Sequence, residues 1–169
     1  MDEYVKLAKY SVETYVKTRR MAKLYENIPD ELLSQRAGVF VSLKKNGNLR
    51  GCIGTIGPTK DSIAEEILEM AVTAAVGDLR FEPVKVEELE DLVYSVDVLS
   101  TPEPIESKEM LDQNIYGVIV TSGRKRGLLL PNLEGVESVD EQISIALRKA
   151  GILPNENYNL ERFKVVRHK

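Results

Sequence analysis

The sequence predicts an α+β fold: a largely antiparallel sheet flanked by helices. Three observations carry this expectation. Asn46-Gly47 sits between two apolar runs, which is a hairpin signal. Apolar residues recur at i, i+3/i+4 spacing in three separate stretches. The elements then follow in the order helix, hairpin, helix, strand, hairpin, helix, strand, which suits an antiparallel sheet better than repeated βαβ units.

Along the chain, Val5, Ala8, Val12, Tyr15 and Val16 share one face and predict a helix over Asp2–Thr18. Asn27-Ile28-Pro29-Asp30 breaks it. Gly38–Leu43 and Leu49–Ile56 are the two arms of the hairpin. Ile63, Ile67, Met70, Ala71 and Ala74 mark a helix over 61–76. Ser62 and Glu65 have capping-box spacing there, with Asp61 as an alternative cap. A short acidic helix is expected over Val86–Leu92 and a strand over Val93–Leu99. Thr101-Pro102-Glu103-Pro104 cannot continue a central strand, because proline lacks the ladder donor. Tyr116–Thr121 and Gly127–Leu130 form a second hairpin. Ser138 with Glu141 opens a helix that Gly151 stops, and Arg162–Arg167 is a last strand.

The chain has 169 residues, 43% apolar and 30% charged, with a net charge of −4. That is enough for one core, or for two tightly joined subdomains, and it lacks the basic footprint of a general nucleic-acid binder. The single cysteine, Cys52, forms no intramolecular disulfide, which fits a reducing compartment. No stretch approaches a membrane span and the first residues lack a signal-peptide pattern, so a cytoplasmic protein is expected. One Cys and one His exclude a zinc site built on several such ligands. No cofactor is expected.

Leu49–Ile56 stands out because it places Gly51 and Gly54 inside a strand pattern. Glycine there marks a bulge, or a close approach by a ligand or another backbone. In a regular strand Arg50, Cys52 and Gly54 share a face. An arginine near a thiol favours the thiolate, so Cys52 is a candidate nucleophile and Arg50 a candidate anion contact. The alternatives are a packed thiol and a structural Arg–carboxylate pair.

The same residues carry a family resemblance. Leu49-Arg50-Gly51-Cys52-Ile53-Gly54 resembles the signature of the AMMECR domain family. Three more segments follow in family order: Gly77-Asp78-Leu79-Arg80-Phe81-Glu82-Pro83-Val84, Val98-Leu99-Ser100-Thr101-Pro102-Glu103-Pro104-Ile105, and Gly123-Arg124-Lys125-Arg126-Gly127-Leu128-Leu129-Leu130-Pro131. Leu79 replaces the family's usual proline. The resemblance covers nearly the whole chain and implies one domain over 1–169 without a flexible linker. It further implies two unequal subdomains with the signature near a cleft between them. The microbial members similar in pattern accompany a Memo-like protein and a radical-SAM protein, which are therefore the implied partners. The family has no established reaction, so the resemblance implies fold and place more than chemistry. Two functions stay open: a small-molecule or cofactor-handling component with a cleft at Arg50 and Cys52, or a non-catalytic adaptor binding a protein or peptide there. The expected ligand is a small anion held by Arg50, with Gly51 and Gly54 allowing approach and Arg80 and Arg124 as further contributors.

Two other residues need placing. His168, the only histidine, reads as a solvated tail residue. Asp97, among apolar strand residues, reads as paired or on a solvated face.

Overall fold

Asp2 opens the first helix. Its carboxylate accepts the backbone N–H of Tyr4 at 2.8 Å and of Val5 at 3.4 Å, capping donors that the first turn leaves free. Helix α1 (Glu3–Thr18) follows and ends at Arg19 in a left-handed conformation. The computed structural model describes residues 1–169 and divides into two units, Met1–Leu99 with Val166–Lys169, and Ser100–Val165.

The first unit contains α1, the short α2 (Asp30–Ser34), strands β1 (Val39–Lys45) and β2 (Asn48–Gly54), α3 (Ile63–Val76) and β3 (Leu92–Leu99). Val165–His168, called β8 in chain order, completes its sheet, whose order is β2-β1-β3-β8. The hairpin β1–β2 is antiparallel and turns at Asn46 and Gly47, both with positive φ (52° and 79°), as the tight two-residue turn requires. Ser62 caps α3 by accepting the Glu65 N–H at 3.2 Å, which decides between the two expected caps. One face of the sheet is dry: Val39, Val41, Leu43 and Val96 pack with Leu7 and Val12 of α1 and Ile67 and Ala71 of α3.

Val86–Asp91 forms 3-10 turns rather than a full helix. Its Glu88 is nonetheless a fixed point, because the Lys85 N–H donates to it at 2.8 Å.

The second unit holds β4 (Glu103–Ile105), β5 (Gly117–Ser122), β6 (Lys125–Leu129), α4 (Val139–Ala150) and β7 (Asn159–Phe163). Its sheet runs β4-β7-β5-β6, antiparallel where the partners are registered, so the proline-bearing β4 lies at an edge. Val118, Val120 and Leu129 pack with Ile143, Ala146 and Leu147 of α4.

Two expectations need correction. The single strand expected over 162–167 is two strands in different sheets, interrupted at Lys164. His168 is no solvated tail residue. Its ring stacks on Tyr4 with centroids 3.7 Å apart, and Nδ1 lies 2.8 Å from Asp2 Oδ2. The strand extends to His168, so alternation sends its ring to α1 while Arg167 takes the opposite face. No helix is long and apolar enough to cross a membrane.

Candidate functional site

The register of the first sheet decides which polar side chains meet. Ser42 stands opposite both Cys52 and Ser95, and Phe40 opposite both Gly54 and Asp97. Directly opposed residues share a face, as do residues two apart. Phe40, Ser42, Cys52, Gly54, Ser95 and Asp97 therefore lie together on the face turned away from α1 and α3.

Cys52 is the centre of this face. The Ser42 hydroxyl lies 3.1 Å from its sulfur and donates to it. Because β2 is an edge strand, the Cys52 backbone would lack a partner on its outer side. The loop after α3 supplies one. The Cys52 N–H donates to Asp78 Oδ2 at 3.0 Å, and Arg80 Nη2 donates to the Cys52 carbonyl at 3.4 Å. Asp78 is buried and also accepts Arg80 Nε at 3.0 Å and Nη2 at 2.8 Å. Two side chains thus stand in for a missing strand, and two of the sequence segments singled out above meet here. At the sheet's other edge, on this same face, Arg167 of β8 holds the buried Asp97 with two bonds of 2.8 and 2.9 Å.

The electrostatics favour a neutral thiol. Burial pushes the Cys52 thiol up, against the Ser42 hydrogen bond; Asp97 adds to the rise and Arg80 opposes it. By contrast, the Arg80 hydrogen bonds hold Asp78 down to about 2 despite its burial. The arginine expected to favour the thiolate, Arg50, is paired with Glu88 instead, and the lowering that Arg80 does supply is outweighed by burial.

Arg50 is placed differently from the regular-strand expectation. The β1–β2 register slips at this point: Leu43 opposes Gly51, but Lys44 opposes Leu49. Arg50 is the extra residue of a bulge, which breaks its alternation with Cys52. Its guanidinium grips Glu88 through Nε at 2.9 Å and Nη2 at 3.1 Å, and Lys45 reaches the same carboxylate at 3.2 Å. This pairing holds Glu88 down to about 2, in spite of burial. Both side chains are largely shielded, 14% and 16% exposed. The planar fork expected to hold a ligand holds an internal carboxylate.

Nor do the glycines open the strand to a ligand. A Cβ at Gly51 would run into the Ala74 carbonyl of α3, and one at Gly54 into the Phe40 ring. The close approach expected at these positions exists, but its source is the protein itself. Arg124 belongs to the second unit, on the exposed turn joining β5 and β6. Its neighbours Lys125 and Arg126 pair with Glu156 and Glu161. Sequence reasoning passed over Ser42, Asp78, Glu88 and Arg167. Asp78 stood inside a quoted segment, and a charged pair such as Asp97 with Arg167 in two apolar strands was a usable signal. No three His, Cys, Asp or Glu side chains gather as a metal site.

The AMMECR1 family model matches residues 5–168 of this chain. A protein of Clostridium acetobutylicum is 54% identical over 172 residues, covering 99% of this chain but only 36% of that protein's length. A Thermotoga maritima protein is 49% identical and covers 98% of this chain and 97% of its own length. Among solved structures, an uncharacterized protein from Pyrococcus horikoshii superposes with a TM-score of 0.91 at 33% identity, over 97% of this chain and 88% of that one.

Proposed function

The chain belongs to the AMMECR1 family, and from that premise we propose that its Cys52 face binds a small anionic group, in a component that handles a small molecule or cofactor beside a Memo-like and a radical-SAM protein. One observation carries the reading. Arg80 is held beside the Cys52 backbone by a buried carboxylate, yet its side chain is 59% exposed. Asp78 takes Nε and Nη2, which leaves Nη1 to a ligand. A guanidinium fixed before binding loses little entropy when it meets an anion. The second cation is Arg167, steadied in the same way by Asp97. The partners rest on the family resemblance. The raised thiol favours binding over nucleophilic chemistry, because the thiolate is the reactive form.

The test is titration of the full chain with inorganic phosphate and with small dicarboxylates, followed through the amide NMR signals of Cys52, Asp78 and Arg80. Saturable shifts that Arg80→Gln removes, with the melting temperature unchanged, support the reading. Absence of saturable shifts with every anion sinks it.

A second reading has one observation of its own. Leu79 is 99% exposed although both its neighbours are anchored to Cys52. A rigidly presented apolar side chain suits an adaptor that inserts into a protein partner. Leu79→Ser separates the two readings: it abolishes capture of the Memo-like protein if the adaptor reading holds, and leaves anion binding intact.

A further inference from the structure

A second site lies in the first unit, away from the Cys52 face, and does not rest on the reading above. Glu3, Lys6 and Tyr10 follow i, i+3, i+7 spacing on α1 and share one helix face. Tyr25, Glu26 and Asn27 run back beside them, and the six residues line a groove. Its walls are fixed. The Tyr10 hydroxyl donates to the Lys23 carbonyl at 2.9 Å, and the Tyr10 and Tyr25 rings meet edge to face at 5.1 Å.

The groove already holds a cation, and the chain supplies it. Lys6 Nζ lies 5.8 Å from the centroid of the Tyr25 ring and 3.8 Å from Glu3 Oε1. Both contacts are at the long limit for their kind, and the Lys6 side chain is 55% exposed. The ammonium is resident but loosely held.

We propose that this groove binds an alkylammonium group of a ligand, which displaces Lys6. The chemistry follows from the lining. Aromatic faces attract cations through the ring quadrupole, most effectively when the cation is poorly hydrated. Glu3 and Glu26 supply negative charge without the convergent oxygen cage that a hard metal ion needs. Two tyrosine rings in a groove also lined by Glu3 and Glu26 therefore suit an organic cation with a methylated ammonium head, less hydrated than the Lys6 ammonium it replaces. Lys6 takes the role of a tethered competitor, set aside when a better cation arrives.

The experiment compares Nε-trimethyllysine with its neutral isostere, in which carbon replaces the quaternary nitrogen, on the full chain. Amide NMR shifts of residues 3–10 and 23–27 report binding. The charged compound is expected to bind about threefold to tenfold more tightly than the isostere. Tyr25→Leu, confirmed folded by its spectrum, weakens binding by a similar factor. Lys6→Ala, a change on an exposed helix surface that leaves the fold intact, strengthens binding by removing the competitor. Equal binding of the isostere overturns the proposal. So does an absence of shifts, or a Lys6→Ala variant that binds no better than the parent.

Discussion

The Cys52 backbone N–H and the Asp78 carboxylate, 3.0 Å apart, close the outer edge of the first sheet. Asp78 is buried and serves the strand N–H, the Arg80 backbone N–H and the Arg80 guanidinium at once. Asp78→Asn keeps the shape but replaces one acceptor oxygen with a donor facing Arg80. It should lower stability by about 1–3 kcal/mol, since a buried donor loses its partner. Urea unfolding measures this, and a midpoint equal to the parent's refutes the edge-closing role.

Arg50 and Glu88 should behave as a structural pair. Arg50→Lys preserves charge but loses the two-bond fork, at a cost of about 1–3 kcal/mol. Glu88→Gln should cost a similar amount, and the double variant less than the sum of the two. Additive losses in the cycle would show that the two side chains act independently.

Acid should unfold the first unit through the same carboxylates. Glu88 and Asp78 are both held to about 2, against ordinary values of 4.5 and 3.8. As pH falls, the unfolded chain takes up these protons before the folded chain does. Stability from both groups is complete above about pH 5 and is lost progressively toward pH 2. Urea midpoints at pH 7, 4 and 3 should decline in that order, and Glu88→Gln should decline less steeply.

The thiol of Cys52 should be slow. Burial raises it and Ser42 already occupies its sulfur, so alkylation by iodoacetamide at pH 7 should run about tenfold or more below a free cysteine. Cys52→Ala should cost about 1–2 kcal/mol or less, because the cavity left is small. Rapid alkylation of the folded protein would reverse the assignment of this thiol as a neutral one.

Gly51 and Gly57 form an internal comparison. Gly51→Ala forces a methyl group into the Ala74 carbonyl and should destabilise by about 1–3 kcal/mol, whereas Gly57 has nothing within 4 Å of its would-be Cβ. Thermal melts of the two variants decide the matter: equal melting temperatures remove the strand-to-helix contact from the explanation.

What could be read from the sequence divides along physical lines. Helix α1, the Asn46-Gly47 turn and the Ser62 and Ser138 caps rest on interactions within a few residues, and all are present. Helix α2 was missed because five residues with one buried side chain, Leu32, produce no periodic signal. The split of 162–167 between two sheets was illegible because each half is an ordinary strand and only tertiary pairing separates them. The same limit governs the site. Cys52 and Arg80 could be singled out from their segments. That Arg50 belongs to Glu88, 38 positions away among 27 acidic residues, is a fact of folding and not of spacing. The glycines announced close approach correctly, but nothing local distinguishes an approaching helix from an approaching ligand.

Arg167 follows Asp97 by 70 positions, with the whole second unit between them. A nascent chain must therefore expose the Asp97 carboxylate at the ribosome while Ser100–Val165 is still being made. The first unit can assemble three of its four strands in that interval, but its buried charge stays unneutralised until β8 emerges. The four-stranded sheet of this unit can therefore be completed only once its neighbour has been translated, and cleavage of the finished chain between positions 99 and 166 would cut the covalent link to its last strand.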